Sequence, residues 1–345
     1  MRRPAAQQRI VCDAAGYALL FVASVVITLG ACALFTNAVE WLGKRLNLSE
    51  GAVGSVLAAI GTTLPETSIP IVAIFFGATR EEAEVGLGAI LGAPFMLSTL
   101  VVPLLAGLLL VYARLGKRGR SFRLNYKDVT VDLSCFVLAY TVAMACTFVP
   151  SRPLRIIVAV GLLGLYSYYV KIKFSDDDVG GEPSDLSPLV FAKNSARPSY
   201  PLIGLQAVAG LGGLALGAHL FVTAADSTAH LLAISPLILA LLIAPLATEL
   251  PEMSNSFLWL YQKKDRLAVG NVTGAMVFQG TIPVSVGLIG TEWTLAPSAL
   301  LTMVLAVLAA GSLLLQAVWS GHWRPWLLTI GAILYIGYAF YLYGY

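Results

Sequence analysis

Residues 243–256 read "IAPLATELPEMSNS". The stretch lies inside a long apolar run, yet it carries two carboxylates, Glu249 and Glu252, and two prolines, Pro245 and Pro251. A charged side chain at the centre of a bilayer costs about 2.5–3.5 kcal/mol on insertion scales. Proline removes a backbone donor and kinks the helix it sits in. A helix that merely faces lipid carries neither burden, so this segment has to be explained by what its carboxylates do.

The rest of the chain puts the stretch in a membrane. Of the 345 residues, 58% are hydrophobic and 12% are charged, and the mean hydropathy is +0.80. A soluble domain is nearer half apolar and a quarter charged. The apolar residues fall in blocks of about twenty, the length that crosses a hydrocarbon core of roughly 30 Å. Ten such blocks are predicted to span: 14–39, 51–77, 86–112, 129–149, 154–173, 200–224, 233–260, 268–290, 295–318 and 325–343. The first is read as a spanning helix rather than a cleaved leader, because its apolar run continues to about Asn37 without a cleavage site. The expected class is therefore an all-α polytopic membrane protein. The net charge of +3 sits in loops beside lipid, which gives no reason to expect a nucleic-acid partner. Cys12, Cys32, Cys135 and Cys146 have no metal-type spacing and read as small apolar fillers.

A polar stretch rich in Gly, Pro and Ser divides the chain between the fifth and sixth blocks. Residues 174–199 read as a solvated linker, with Asp176, Asp177 and Asp178 as a hydrated acidic run. Loop charges set the orientation. One side holds six of the 22 Lys and Arg residues and the other holds sixteen, including Lys44, Arg118, Lys173 and Lys193. The richer side is predicted to be cytoplasmic. Both termini then lie outside, in a multi-pass protein of the inner (plasma) membrane.

The opening stretch has a twin. "TTLPETS", Thr62 to Ser68, matches "TELPEMS", Thr248 to Ser254, about 190 residues later. Gly30, Ala31 and Thr36 pair with Gly217, Ala218 and Thr223, and "GAILGA" from Gly88 pairs with "GNVTGA" from Gly270, in the same order. Five helices are an odd number, so the second copy enters the membrane from the opposite side. The predicted organisation is two inverted five-helix repeats, 1–173 with its motif at 58–100 and 200–345 with its motif at 243–283, joined by the cytoplasmic linker 174–199. Inverted repeats with broken helices are a transporter architecture with its site near the midplane.

Glu66, Glu249 and Glu252 must then face inward. No Lys or Arg lies at their depth in the predicted helices, which leaves protons or a metal ion to balance them. Pro65 and Pro251 each precede a glutamate, and the residues before them can offer free carbonyl oxygens. Thr62 lies four residues before Glu66 and Thr248 four before Glu252, on the same helix faces. Carboxylates, carbonyls and hydroxyls together form an oxygen shell of the kind that hard cations such as Ca²⁺, Na⁺ and Mg²⁺ prefer.

"GTTLPET" and "ATELPEM", each followed by a G-x-x-x-G helix, resemble the two repeats of the cation/Ca²⁺ exchanger superfamily, in particular its prokaryotic sodium/calcium exchanger branch. The resemblance covers helices one to three and six to eight. It implies antiport of Ca²⁺ against Na⁺ or H⁺ by alternating access. It also implies that Glu66 and Glu252 are the paired central carboxylates, that Thr62 and Thr248 bind the ion through backbone oxygens, and that Thr63 stands where the family has a sodium-site serine. The chain departs from the pattern at Glu249, which replaces the matching serine of the second repeat. It departs again at Ala93 and Ala275 in place of serines, and at Leu97 and Gln279 in place of the later polar residues. Three core carboxylates remain, but their placement moves and two hydroxyls suited to Na⁺ are gone. Protons in place of Na⁺, or another divalent cation in place of Ca²⁺, follow as the alternative.

Asn271 is a candidate outer ligand, a packing residue or a helix cap, and Glu81, Glu82 and Glu84 read as a solvated loop. A membrane enzyme using the carboxylates as acid and base, or a cation channel, are the remaining readings. Against an enzyme, there is no Ser/His/Asp set and no phosphate loop, and His219, His230 and His322 are scattered, His219 as an interior group. No cofactor is expected beyond the transported Ca²⁺ and Na⁺ or H⁺. The expected partners are divalent and monovalent cations and the lipid bilayer, and a monomer suffices.

Overall fold

The computed structural model describes residues 5–46, 58–175, 187–195, 197–232, 235–329 and 331–343, and these form helices and loops with no strand. Two helices are much longer than a bilayer needs. α1 (Ala5–Arg45) has 41 residues. At 1.5 Å per residue it extends about 60 Å, twice the hydrocarbon thickness. The second long helix spans Tyr200–Leu232 and is α7 in chain order. α1 and α7 run antiparallel in close contact, because small residues line their seam. A Cβ on Gly210 would fall 2.8 Å from Phe35, one on Gly213 2.7 Å from Ala31, and one on Gly217 2.3 Å from Thr28 Oγ1. Without a hydrophobic drive between helices in lipid, such close backbone approach is what dispersion packing exploits.

Between them lie α2 (Ala58–Phe75), α3 (Arg80–Met96), a π-helical turn at Leu97–Val101, α4 (Val102–Arg114), α5 (Tyr126–Ala145) and α6 (Arg152–Ser175). Thr79 caps α3 by accepting from the Glu82 N–H, and Asn125 caps α5 by accepting from Lys127. The π turn follows Pro94, which cannot donate to the preceding turn; Ser98 Oγ bonds the Pro94 carbonyl at 2.8 Å and widens the coil there. After α7 come α8 (Pro236–Thr248), α9 (Leu250–Tyr261), α10 (Asp265–Gly290), α11 (Pro297–Ser320), the short α12 (Pro325–Leu328) and α13 (Gly331–Tyr343). α11 ends on Gly321 at φ +61°, the left-handed cap that glycine adopts at no steric cost.

Eight segments among the described residues are long and apolar enough to cross a membrane. They coincide with eight of the ten predicted spans. The other two, 51–77 and 233–260, are the ones that carry the LPE motifs. Residues 51–57 and 233–234 lie outside the described residues. The second of these spans is a broken pair, α8 of 13 residues and α9 of 12. The break falls at Glu249, at φ −83° and ψ 0°. There the Glu249 N–H closes α8 on the Pro245 carbonyl at 2.9 Å, and the Glu249 carbonyl opens α9 by accepting from Met253 at 2.9 Å.

α10 and the α3–α4 span are the inner layer: 78% and 61% of their most apolar windows are buried, against 22% for α1. α10 is tied to the outer helices by a polar cluster absent from the sequence-based expectations. Asp132 of α5 meets Lys173 Nζ of α6 at 2.7 Å and accepts from Tyr169 Oη at 3.1 Å and Thr273 Oγ1 of α10 at 2.6 Å. At the start of α10, Asp265 accepts from Arg118 at 2.6 Å and from the Arg123 N–H at 2.8 Å, which pins the loop between α4 and α5.

Two expectations are corrected. The end of the predicted solvated linker is docked, not free. Asn37 and Trp41 of α1 both donate to the Ser187 carbonyl, Gln206 of α7 accepts from the Phe191 N–H at 2.9 Å, and Leu189 is fully buried. Asp176, Asp177 and Asp178 lie outside the described residues. His219 is exposed on α7 rather than interior; Thr223 Oγ1 donates to its backbone carbonyl.

Candidate cation site

α2, the α8–α9 break and the first turn of α9 meet around three carboxylates. One oxygen each from Glu66, Glu249 and Glu252 lies within 4.8 Å of the others. All three residues are buried, at 5%, 0% and 1% exposure. Local chain chemistry explains their convergence. A helix that ends and restarts at Glu249 turns that side chain and Glu252, three residues on, toward the same interior space. Pro251 has no N–H to offer the Ala247 carbonyl, and Pro65 none to the Gly61 carbonyl, so each motif leaves a backbone oxygen without its usual helical donor.

The electrostatics are unbalanced. With an effective dielectric constant of 20, two carboxylate charges at 4.8 Å repel by about 3.5 kcal/mol. Three ionised groups would therefore oppose one another by about 10 kcal/mol. No described Lys or Arg forms a salt bridge with Glu66 or Glu249. Both oxygens of Glu66, Oε2 of Glu249 and Oε1 of Gln279 are buried with no hydrogen-bond partner among the described residues. Buried acceptors left in this condition are costly, and a positive charge placed among them removes both penalties. The dimensions fit. Two oxygens on opposite sides of one Ca²⁺ are about 4.6–5.2 Å apart at ligand distances of about 2.3–2.6 Å.

The supporting residues come from α10. Gln279, 1% exposed, donates through Nε2 to Glu249 Oε1. It therefore orients one carboxylate oxygen and leaves Oε2 buried without a hydrogen-bond partner among the described residues. Asn271 donates to the Glu252 carbonyl and to Ser256 Oγ, both at 3.1 Å. Its amide braces the backbone of α9 and does not reach the carboxylates. Thr248 is buried at 6% exposure immediately before Glu249. The side chains of Thr62 and Thr63, the two remaining candidate ligands, lie outside the described part; their backbone forms the first turns of α2. α3 completes the wall. A Cβ on Gly92 would lie 2.2 Å from the Leu241 carbonyl oxygen, and one on Gly88 2.6 Å from Ala240, so α3 and α8 touch backbone to backbone.

Known proteins share both the sequence pattern and the fold. The family model described as sodium/calcium exchanger protein matches residues 16–175 and 203–344. CaxA of Alkalimonas amylolytica, provisionally named an antiporter, is 25% identical over 94% of this chain and 99% of its own length. The crystal structure of the H⁺/Ca²⁺ exchanger CAX superposes with a TM-score of 0.63 at 15% identity, over 95% of this chain and 88% of its own. The sodium-calcium exchanger NCX_Mj, in crystals soaked with Na⁺ and Sr²⁺, superposes with a TM-score of 0.53 at 21% identity, over 95% and 97%.

Proposed function

The chain belongs to the sodium/calcium exchanger protein family, a family of transporters rather than enzymes, and we propose that it is a secondary active antiporter that exchanges Ca²⁺, or a similar divalent cation, for protons or Na⁺. The observation that carries this reading is the buried cluster of Glu66, Glu249 and Glu252, with no basic partner to Glu66 or Glu249 among the described residues. These three residues hold the transported ion. Gln279 steadies Glu249, and Thr62, Thr63 and Thr248 contribute oxygens from the same segments.

The framework is ten spanning helices in two inverted repeats, 1–173 and 200–345, with α2 and the α8–α9 pair as the ninth and tenth spans. The antiparallel pairing of α1 with α7 supports it, because α1 and α7 occupy the same place in the two repeats. The two bundles expose the site alternately to either side. The membrane is the inner (plasma) membrane, with both termini outside and residues 174–199 cytoplasmic, and a monomer carries the whole site.

Charge governs the cycle. A single divalent ion leaves one of three carboxylate charges uncompensated, and a divalent ion with one proton neutralises the site. Three protons also neutralise it. Exchange of two protons for one divalent ion then moves the helix bundles in the same charge state in both directions. This favours the proton-coupled reading, because the third acid, Glu249, stands where the family has a sodium-site hydroxyl. CAX, an H⁺/Ca²⁺ exchanger, and NCX_Mj, a sodium-calcium exchanger, share the fold, so we infer that the site rather than the fold selects the counter-ion. Radiolabelled Ca²⁺ uptake into proteoliposomes tests this. A pH gradient alone is expected to drive uptake. Uptake that follows only a Na⁺ gradient overturns the proton coupling, and no uptake under either gradient overturns Ca²⁺ antiport.

A further inference from the structure

A second polar site lies well away from the carboxylates. Where α3 begins, α6 begins and α10 ends, the helices surround a cavity of about 570 Å³. Its charged lining is Arg80 and Glu84 of α3, Arg152 and Arg155 of α6, and Glu292 of the loop after α10. From Gln279 to Gly290 is eleven residues along α10, about 16 Å at the helical rise.

Three guanidinium groups face two carboxylates, so the lining has one cation in excess. Arg80 and Glu84 form an exposed pair at 3.7 Å, of the kind worth little in water. Arg155 is different. It is 6% exposed, its Nη1 donates to the Thr291 carbonyl at 3.1 Å, and its Nε is buried with no partner among the described residues. A buried guanidinium donor without an acceptor is costly. The planar fork of arginine suits the oxygens of a phosphate group. The apolar spans beginning at Arg80 and Arg152 and ending at Gly290 share this boundary, which puts the cavity at the level of lipid headgroups. An arginine-lined pocket between spanning helices at that level can receive the phosphate of an anionic headgroup.

We propose that this cavity binds a phosphate-bearing anion on Arg155 and Arg152, supplied either as the headgroup of an anionic phospholipid or as free phosphate. Glu84 and Glu292 oppose the anion on their side and direct it toward α6.

Thermal unfolding of the purified full chain in detergent tests the proposal without reference to transport. The wild type is measured with inorganic phosphate, with chloride at matched ionic strength, and in mixed micelles containing phosphatidylglycerol or phosphatidylcholine. Arg152→Gln, at an exposed position, and Arg155→Lys, which keeps the charge but loses the fork, are measured alongside. A midpoint raised by phosphatidylglycerol but not by phosphate identifies the lipid source, one raised by phosphate alone identifies the free anion, and one raised by both shows that the arginines take either. In each case the half-saturating concentration is expected to rise about tenfold in Arg152→Gln. A midpoint unmoved by both ligands, equal shifts with chloride or phosphatidylcholine, or a wild-type response from Arg152→Gln overturns the proposal.

Discussion

Replacing Gly92 by alanine tests the packing that positions the carboxylates. The new Cβ would lie 2.2 Å from the Leu241 carbonyl oxygen, 2.7 Å from Pro245 Cγ and 2.9 Å from the Leu241 carbonyl carbon. These are backbone and ring atoms that cannot rotate aside. Ordinary contact begins at 3.4 Å, so α3 and α8 must separate by 3.4 − 2.2, about 1.2 Å. Overpacking of this kind costs about 1–3 kcal/mol, which for a chain of this size lowers the unfolding midpoint by about 1–4 °C. The displacement does not stay local. The Glu249 N–H is bonded to the Pro245 carbonyl at 2.9 Å, so a shift of α8 near Pro245 carries the carboxylate at its end. A movement of about 1 Å is large against ligand distances of about 2.3–2.6 Å, and Ca²⁺ exchange in proteoliposomes is expected to fall at least tenfold. Gly161→Ala is the control, because nothing lies within 4 Å of a Cβ there, and it is expected to keep wild-type stability and exchange. If Gly92→Ala unfolds and exchanges like Gly161→Ala, the α3–α8 contact does not set the site.

Gln279→Leu removes the donor to Glu249 Oε1, a charged hydrogen bond worth about 1.5–3 kcal/mol; Ca²⁺ affinity measured by calorimetry should weaken by about 10–100-fold. Asp132→Asn breaks the pair with Lys173, whose side chain is 32% exposed. The loss in thermal unfolding should be about 2 kcal/mol, below the 3–5 kcal/mol of a fully buried pair, and the double variant Asp132→Leu with Lys173→Met should recover most of it. Gln206→Leu deprives the Phe191 N–H of its acceptor and removes a 2.8 Å bond to Asn37. The end of the linker should then become sensitive to limited proteolysis at concentrations of protease that leave the wild type intact.

The apolar spans are legible because about twenty apolar residues in a row have few homes other than a bilayer. Glu66, Glu249 and Glu252 are legible for the opposite reason: their residue type is so costly at that depth that only a shared task explains them. Where the second LPE helix breaks is less legible. Pro251 announces a kink, but the turn itself centres on Glu249, because the carbonyl and N–H of that residue serve both helices. Asp132 and Lys173 each read as a charge near a helix end, and only tertiary packing brings them to 2.7 Å. Their signal was the presence of an acid within the predicted 129–149 span and a base at the end of 154–173. Asn37 and Gln206 carry the same kind of signal as neutral amides in long apolar helices, yet their partner is a linker whose composition suggests solvent. The G-x-x-x-G spacing marks Gly88 and Gly92, but not that α8 is the helix pressed against them.

The central claim is that Glu66 of one repeat and Glu252 of the other hold the same ion. Calorimetric titration of Ca²⁺ into the purified protein tests it without the complications of transport. The wild type is expected to bind a single Ca²⁺ per chain, and Glu66→Gln and Glu252→Gln are each expected to weaken that binding at least about 100-fold, the cost of leaving a charged partnership incomplete. Wild-type affinity in either variant, with the fold intact, would contradict the account.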